Sequence, residues 1–335
     1  MKVLLYTEIQ KTISTSGLGK AIQHQMRSLE DNNISFTLDP KDDFDIAHIN
    51  FFALKSYKLA KKCKKKGIKV VYHAHSTKED FMNSFKFSNL IAPIFKWWIC
   101  KCYKLGDHII TPTPYSKRLL ESYGCFKRPI TAISNGIDTK FFKRDEKLGE
   151  SFRKTYGFTK NDKVIVGIGL YLERKGILDF IELAKRMPEY KFIWFGRPYK
   201  GLVPRKINKA VKHAPSNIQF PGYVEPVMIK SAMCGANLYI FPTHEETEGI
   251  PIMEACACKC KALISDIGVF EGWLEDKKNV YKARSIDEFE DFARKIIEGK
   301  LPDLTEEGYK LAQKYDVKIA GEKMIQVYKD TLAGK

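Results

Sequence analysis

Short apolar runs return along this chain at intervals filled by segments of helical spacing, and the pattern is played out twice. The first series lies at residues 2–7, 34–38, 45–49, 68–73, 107–111 and 130–134. The second lies at 164–168, 191–195, 236–241 and 262–265. Alternation of this kind predicts an α/β protein with two parallel, doubly wound sheets. A length of 335 residues suits two such cores better than one. The charged stretch 143–150 lacks an apolar stripe and puts the boundary near 145–160. The expected organisation is therefore a domain over 1–150, a second over 151–310, and a helical tail over 311–335.

Ligands of open α/β sheets bind beyond the carboxyl ends of strands, and the polar segments that follow the runs carry the chemistry. His244-Glu245-Glu246-Thr247-Glu248-Gly249-Ile250-Pro251-Ile252-Met253-Glu254 joins the run ending at Phe241 to a helix-like stretch starting near Pro251. It reads as strand, acidic loop, helix. Glu246 falls in the loop and Glu254 a turn inside the helix, with the turn at Gly249. Between them lie the free N–H groups and positive dipole end of a helix N-terminus. That end suits a diphosphate, and two carboxylates suit the hydroxyls of a sugar and a ribose. An acidic turn that merely caps a helix would look the same in isolation.

Arg174 and Lys175 follow the run at 164–168. As a pair they offer a planar fork and a point charge, both suited to the charge that grows on a leaving diphosphate. The alternative is a solvated basic pair, which would oppose the dipole of the helix it opens. Gly17 and Gly19 follow the first run and let backbone approach a phosphate. No third glycine and no acidic end to the second run accompany them, which sets aside a dinucleotide fingerprint. His73 and His75 alternate on a strand and face one side. They could ligate zinc with a third partner, or serve structure. No cluster suggests a metal cage.

The chain holds 57 Lys and Arg against 40 Asp and Glu, a net of +17. Residues 1–155 carry +13 of it and the remainder +4. A basic half beside a nearly neutral half faces a polyanion, either nucleic acid or an anionic membrane. Residues 81–105 interleave Phe85, Phe87, Leu90, Ile94, Trp97 and Trp98 with lysines. This is how a helix lies in a bilayer interface, although a core helix would share much of the pattern. Residues 55–66 add a lysine-rich face without the interleaved aromatics of a nucleic-acid site. Membrane attraction therefore fits better than specific nucleic-acid binding. No apolar run reaches the ~18 residues of a membrane span. The N-terminus reads as a strand rather than a signal peptide. Eight cysteines without paired C-x-x-C spacing read as reduced thiols in the cytoplasm.

The Glu246–Glu254 segment resembles the E-x7-E motif of retaining glycosyltransferases of GT-B architecture, which use nucleotide-sugar donors. Ser16-Gly17-Leu18-Gly19-Lys20, His73-Ala74-His75-Ser76, Thr111 to Ser116, Ser134 to Asp138 and Glu173-Arg174-Lys175-Gly176 resemble further landmarks, in that family's order. The wording at 75–81, 173–176 and 245–249 is most similar to bacterial diglycosyl-diacylglycerol synthases. The resemblance implies two Rossmann-like domains around an interdomain cleft, with a last helix crossing back to the first domain. It implies transfer of glucose or galactose from a UDP-sugar to monoglucosyl-diacylglycerol, with retention and without metal or a further cofactor. The place would be the cytoplasmic face of the membrane, held peripherally. Glu246 would meet the donor sugar's hydroxyls, helped by the backbone N–H groups of Glu248, Gly249 and Ile250. Glu254 would take the ribose, Arg174 and Lys175 the diphosphate, Gly17 and Gly19 a donor phosphate. His75 would stand near the donor sugar and the reaction centre. The family often has Arg where Leu170 follows Gly169, so Arg174 must rebuild the two-cation clamp or one cation is missing. Rival readings are a soluble or polyisoprenoid-linked glycan acceptor, a two-carboxylate glycosidase, and a non-catalytic module binding nucleic acid or membrane.

Overall fold

A computed structural model describes residues 1–8, 17–198 and 203–334. Ser16 of the glycine segment lies outside the described residues. Two compact units emerge, one from residues 1–81, 89–138 and 315–335, the other from 82–88 and 139–314. Each carries a six-stranded, all-parallel sheet among the described residues.

In the first unit the strands are β1 (Lys2–Tyr6), β2 (Ser35–Thr37), β3 (Ile46–Ile49), β4 (Lys69–His73), β5 (His108–Thr111) and β6 (Ile130–Ala132), in the order β2-β1-β3-β4-β5-β6. In the second they are β7 (Val164–Ile168), β8 (Lys191–Phe195), β9 (Ile218–Gly222), β10 (Leu238–Phe241), β11 (Ala262–Ser265) and β12 (Tyr281–Ala283), in the order β12-β11-β10-β7-β8-β9. All ten apolar runs form strands. Parallel strands sandwiched between helices are covered on both faces, so an unbroken apolar run is what their burial demands. β9 and β12 escaped that reading because they are edge strands that carry polar residues and proline, unlike the edges β2 and β6. An edge pairs on one side only and tolerates Gln219, Pro221 and Lys282.

The order in which strands are added reverses between β1 and β3 in the first sheet and between β7 and β10 in the second. Carboxyl ends flanking such a switch diverge and leave a crevice. The positions after β1, β3 and β4, and those after β7 and β10, therefore become the places to look for chemistry.

The charged stretch at 143–150 is no break in the fold. Asp145 caps the helix Glu146–Thr155, its carboxylate accepting from Leu148 N–H at 3.1 Å, and this helix belongs to the second unit. It packs against the helix Pro226–Gly235 through Gly149 and Phe152. A Cβ on Gly149 would stand 2.8 Å from the Cys234 carbonyl oxygen. A contact built on glycine leaves no apolar stripe to read. The final helix, Val317–Leu332, packs on the helix Gly17–Asp31 within the first unit. Ser28 Oγ donates to Val317 O at 2.6 Å, and a Cβ on Gly321 would meet Ser28 O at 2.8 Å. Among the described residues no helix is long and apolar enough to cross a membrane.

Candidate functional site

In the second unit two loops meet at the switch point. A 3₁₀ turn, Glu173–Lys175, follows β7, and Gly176 closes it at φ +73°. A Cβ there would lie 1.9 Å from the Pro242 carbonyl oxygen, so only glycine allows the approach to the loop after β10. The Arg174 carbonyl accepts from His244 N–H at 2.7 Å and from Thr243 Oγ1 at 2.9 Å, fastening one loop to the other. Residues seventy positions apart in sequence thereby share a site.

Lys175 Nζ donates to Glu246 Oε1 at 2.5 Å, and Thr243 Oγ1 lies 3.0 Å from the same oxygen, its one proton shared between this carboxylate and the Arg174 carbonyl. The lysine side chain is 17% exposed and the glutamate 7%. In a site this dry the pair is held by geometry as well as charge. Arg174 is arranged differently. Its Nε donates to Ser84 Oγ at 2.8 Å and its Nη1 to the Glu245 carbonyl at 3.2 Å. These two bonds fix the direction of the guanidinium. Ser84 lies in the short segment 82–88, which belongs to the second unit although the stretches on either side of it belong to the first. Sequence reasoning missed it, because a lone serine between Asn83 and Phe85 carries no signal. His244 Nε2 stands 2.5 Å from Asp179 Oδ2, and this bond raises the histidine pKa above its ordinary value.

The strand–loop–helix reading of the acidic segment matches the structure. β10 ends at Phe241 and the helix Ile250–Ala257 begins after Gly249, which takes φ +91° as its N-cap. A Cβ on Gly249 would be pressed to 3.1 Å from Ile252 Cδ1 and 3.2 Å from Phe270 Cε1. Glu246 and Glu248 are both buried, as are Gly249 and Ile250. Glu254 sits a turn into the helix with no exposed surface at all. Leu170, two residues beyond β7, is half-buried and brings no charge.

The first unit holds the remaining predicted residues. Gly17 and Gly19 do not form a loop. They open the helix Gly17–Asp31, Gly17 exposed and Gly19 buried, because the helical spacing of the apolar positions that follow extends back through Leu18. His75 stands two residues past the end of β4, and its ring stacks on His73 with centroids 3.9 Å apart and planes 2° from parallel. His75 Nε2 lies 2.8 Å from Asn50 Oδ1. Behind it, Gln25, His48 and Tyr328 complete a buried polar cluster that the sequence did not reveal. Burial pushes the imidazoles of His48 and His75 down to about 3 and that of His73 well below its ordinary value. All three are neutral at physiological pH.

On the surface of the same unit, Leu90, Ile94 and Trp97 stand at i, i+4 and i+7 on the helix Ser88–Tyr103 and are 59–77% exposed. Lys101 Nζ lies 4.9 Å from the Trp97 ring centre. The helix Leu54–Lys65 buries only Ser56, Ala60 and Cys63 and turns its lysines outward.

Comparison with known proteins gives these arrangements a context. Residues 29–141 match the model of Glycosyltransferase Family 4, and residues 149–315 that of Glycosyl transferases group 1. The chain is 42% identical over 332 residues to a processive diacylglycerol alpha-glucosyltransferase of Acholeplasma laidlawii, covering 99% of each. It is 24% identical to an alpha-galactosylglucosyldiacylglycerol synthase of Streptococcus pneumoniae, over 85% of this chain and 76% of that one. Among solved structures, Anabaena HepE in complex with UDP and glucose superposes with a TM-score of 0.79 at 16% identity, covering 98% of this chain and all of that one. Sucrose-phosphate synthase from Thermosynechococcus elongatus superposes with a TM-score of 0.83 at 13% identity, over the whole of both chains.

Proposed function

The chain belongs to the glycosyltransferases that act on diacylglycerol glycolipids, and from that premise we propose that it transfers a hexose from UDP-glucose to monoglucosyl-diacylglycerol at a membrane surface. Its architecture is GT-B, with two Rossmann-like units. The observation that carries the proposal is the Lys175–Glu246 pair beside Arg174, at the head of the helix Ile250–Ala257.

In this reading the glycosidic bond to the diphosphate breaks while Lys175, Arg174 and the N–H groups of Glu248, Gly249 and Ile250 stabilise the charge that gathers on the leaving oxygens. These fixed positive groups supply what a divalent cation would otherwise contribute, and transfer proceeds without one. Glu246 orients the sugar through its hydroxyls, with Lys175 holding the carboxylate in place. Glu254 takes the ribose hydroxyls, a role that requires its enclosing side chains to part as the nucleotide enters. Retention follows if the acceptor attacks from the donor's leaving face and its proton passes to the departing phosphate. The word alpha in the names of both glycolipid relatives supports that stereochemistry. Glucose is favoured by the name of the 42% identical relative, and galactose is the alternative to be assayed beside it.

The exposed Leu90–Ile94–Trp97 face and the lysines of 55–66 would bring the first unit onto an anionic leaflet, on the cytoplasmic side, where a glycolipid acceptor presents its sugar. Glu246→Ala tests the proposal. It should depress turnover far more than sedimentation with anionic vesicles. Equal losses in both would refute the assignment of Glu246 to the donor.

A further inference from the structure

Of the eight cysteines, only Cys125 is partly exposed; the others are buried. Its Sγ stands 2.7 Å from that of Cys100, which is 7% exposed near the end of the helix Ser88–Tyr103. An S–S bond measures about 2.05 Å, so the two sulfurs need approach by only about 0.7 Å to be joined. Local structure holds them there. Gly124, at φ +64°, turns the chain after the helix Pro114–Ser122, and the Phe126 ring packs 6.4 Å from that of Tyr103, centre to centre. Cys125 is thus fixed between a turn and an anchored ring, against a helix 25 residues earlier in sequence.

A groove of about 540 Å³ opens beside the pair, and Lys96, Lys101 and Lys104 line it with Trp97 and Tyr123. Positions 96, 100 and 104 share one side of a helix, which brings two of these lysines alongside Cys100. Lys96 Nζ lies 4.3 Å from the Tyr123 ring centre. Among the described residues that line the groove there is no carboxylate. A partly exposed thiol beside several cations is the setting in which cysteines exchange with disulfides, and cations without acidic partners favour an anionic one.

We propose that Cys100 and Cys125 form a thiol–disulfide exchange site, whose groove receives an anionic low-molecular-weight disulfide and whose product is a Cys100–Cys125 bridge. Cys125 loses its proton and attacks one sulfur of the incoming disulfide. That S–S bond breaks, one half leaves as a thiolate, and the other half stays on Cys125. Cys100 then gives up its proton and attacks the Cys125 sulfur, forming the bridge and expelling the second half as a thiolate. Two protein thiols are oxidised by two electrons, one disulfide is reduced to two thiols, and the two protons released end on them. Burial, and after it the neighbouring Cys125, raise the pKa of Cys100, while Lys96 and Lys104 oppose the rise. The share due to Cys125 disappears once Cys125 carries the adduct, and the lysines remain. Exposure and environment therefore agree that Cys125 reacts first and Cys100 second. A dithiol reverses both steps. Both cysteines belong to the first unit, and neither takes part in the glycosyltransfer reading above.

The test uses the full-length chain, reduced, freed of reductant and exposed to glutathione disulfide, followed by peptide mapping by mass spectrometry without reduction. The wild type should yield a cross-linked Cys100–Cys125 peptide that dithiothreitol abolishes. Cys100→Ser should stop at a glutathione adduct on Cys125, and Cys125→Ser should give neither product in the same time. A lasting adduct on wild-type Cys125 without a bridge would overturn the proposal, as would equal uptake of glutathione by Cys125→Ser. Should either variant fail to fold, the wild-type map decides by itself. The groove's preference is read from the rate with glutathione disulfide divided by the rate with uncharged hydroxyethyl disulfide, a ratio that cancels any change in the thiols themselves. It should fall about threefold or more in the double variant Lys96→Gln, Lys104→Gln, and in the wild type in concentrated salt. An unchanged ratio in both would refute the anionic ligand.

Discussion

Replacing Lys175 with methionine keeps about the length of the side chain and removes its charge, leaving Glu246 without its cation in a site where only 7% of its side chain meets solvent. Breaking a buried ion pair on one side costs about 3–5 kcal/mol. Two features reduce that figure. Thr243 Oγ1, 3.0 Å away, can turn its one proton fully to Glu246 Oε1, and the lysine itself is 17% exposed. A loss of about 2–3 kcal/mol is expected, hence a fall of about 4–12 °C in the thermal midpoint of a unit of this size. Adding Glu246→Gln replaces the pair by neutral groups of similar shape and should return the midpoint to within about 1 kcal/mol of wild type. Turnover should behave in the opposite way. The single variant loses about 10²–10³ in kcat by analogy with removal of one preorganised donor, and the double variant recovers none of it. Thermal unfolding followed by circular dichroism, with UDP-sugar turnover on the same samples, reads both. An unchanged midpoint in Lys175→Met, or turnover regained in the double variant, would refute the view that this pair is both buried and catalytic.

Gly176→Ala forces φ +73° on a residue with a Cβ that would lie 1.9 Å from the Pro242 carbonyl, so it should cost more than about 1–3 kcal/mol and abolish turnover; wild-type melting would show that the two loops are not joined there. The His244–Asp179 bond raises the folded pKa of His244 above its unfolded value. Its stabilisation is then fully present below about pH 6.5 and is lost as pH rises through the raised pKa. The thermal midpoint of Asp179→Asn should accordingly change less with pH over that window than the wild type's, and superimposable profiles would contradict this. Ile94→Glu with Trp97→Glu alters exposed positions and should leave melting unchanged, yet weaken sedimentation with anionic vesicles more than tenfold, since each apolar group withdrawn from lipid forfeits about 1.5–3 kcal/mol. Undiminished sedimentation would remove this helix from the membrane face.

The sequence made the buried strands legible because parallel strands covered on both faces must be apolar throughout, as in the Leu238–Phe241 and Val164–Ile168 segments. It left the two edges of the second sheet illegible for the converse reason, as Pro221 and Lys282 illustrate, while the first sheet's edges, β2 and β6, kept apolar runs. The acidic segment could be placed between strand and helix because Gly249 and Pro251 punctuate it. Its coupling to Lys175 could not be foreseen, since that depends on β7 and β10 lying side by side at the switch point. The helix Glu146–Thr155 was hidden by a glycine contact with Cys234. The cluster behind His75 was hidden for another reason. Gln25, His48, Asn50 and Tyr328 come from four elements, and isolated polar residues reveal nothing until the fold brings them within hydrogen-bond reach.

One measurement bears most directly on the central claim. Purified chain is incubated with labelled UDP-glucose and vesicles containing monoglucosyl-diacylglycerol and anionic lipid, and the extracted lipids are analysed by mass spectrometry. The account predicts a labelled diglucosyl-diacylglycerol, heavier than the acceptor by one hexose, which Glu246→Ala fails to form while still binding the vesicles. Donor consumed without any labelled lipid, or a product formed equally well by Glu246→Ala, would contradict it.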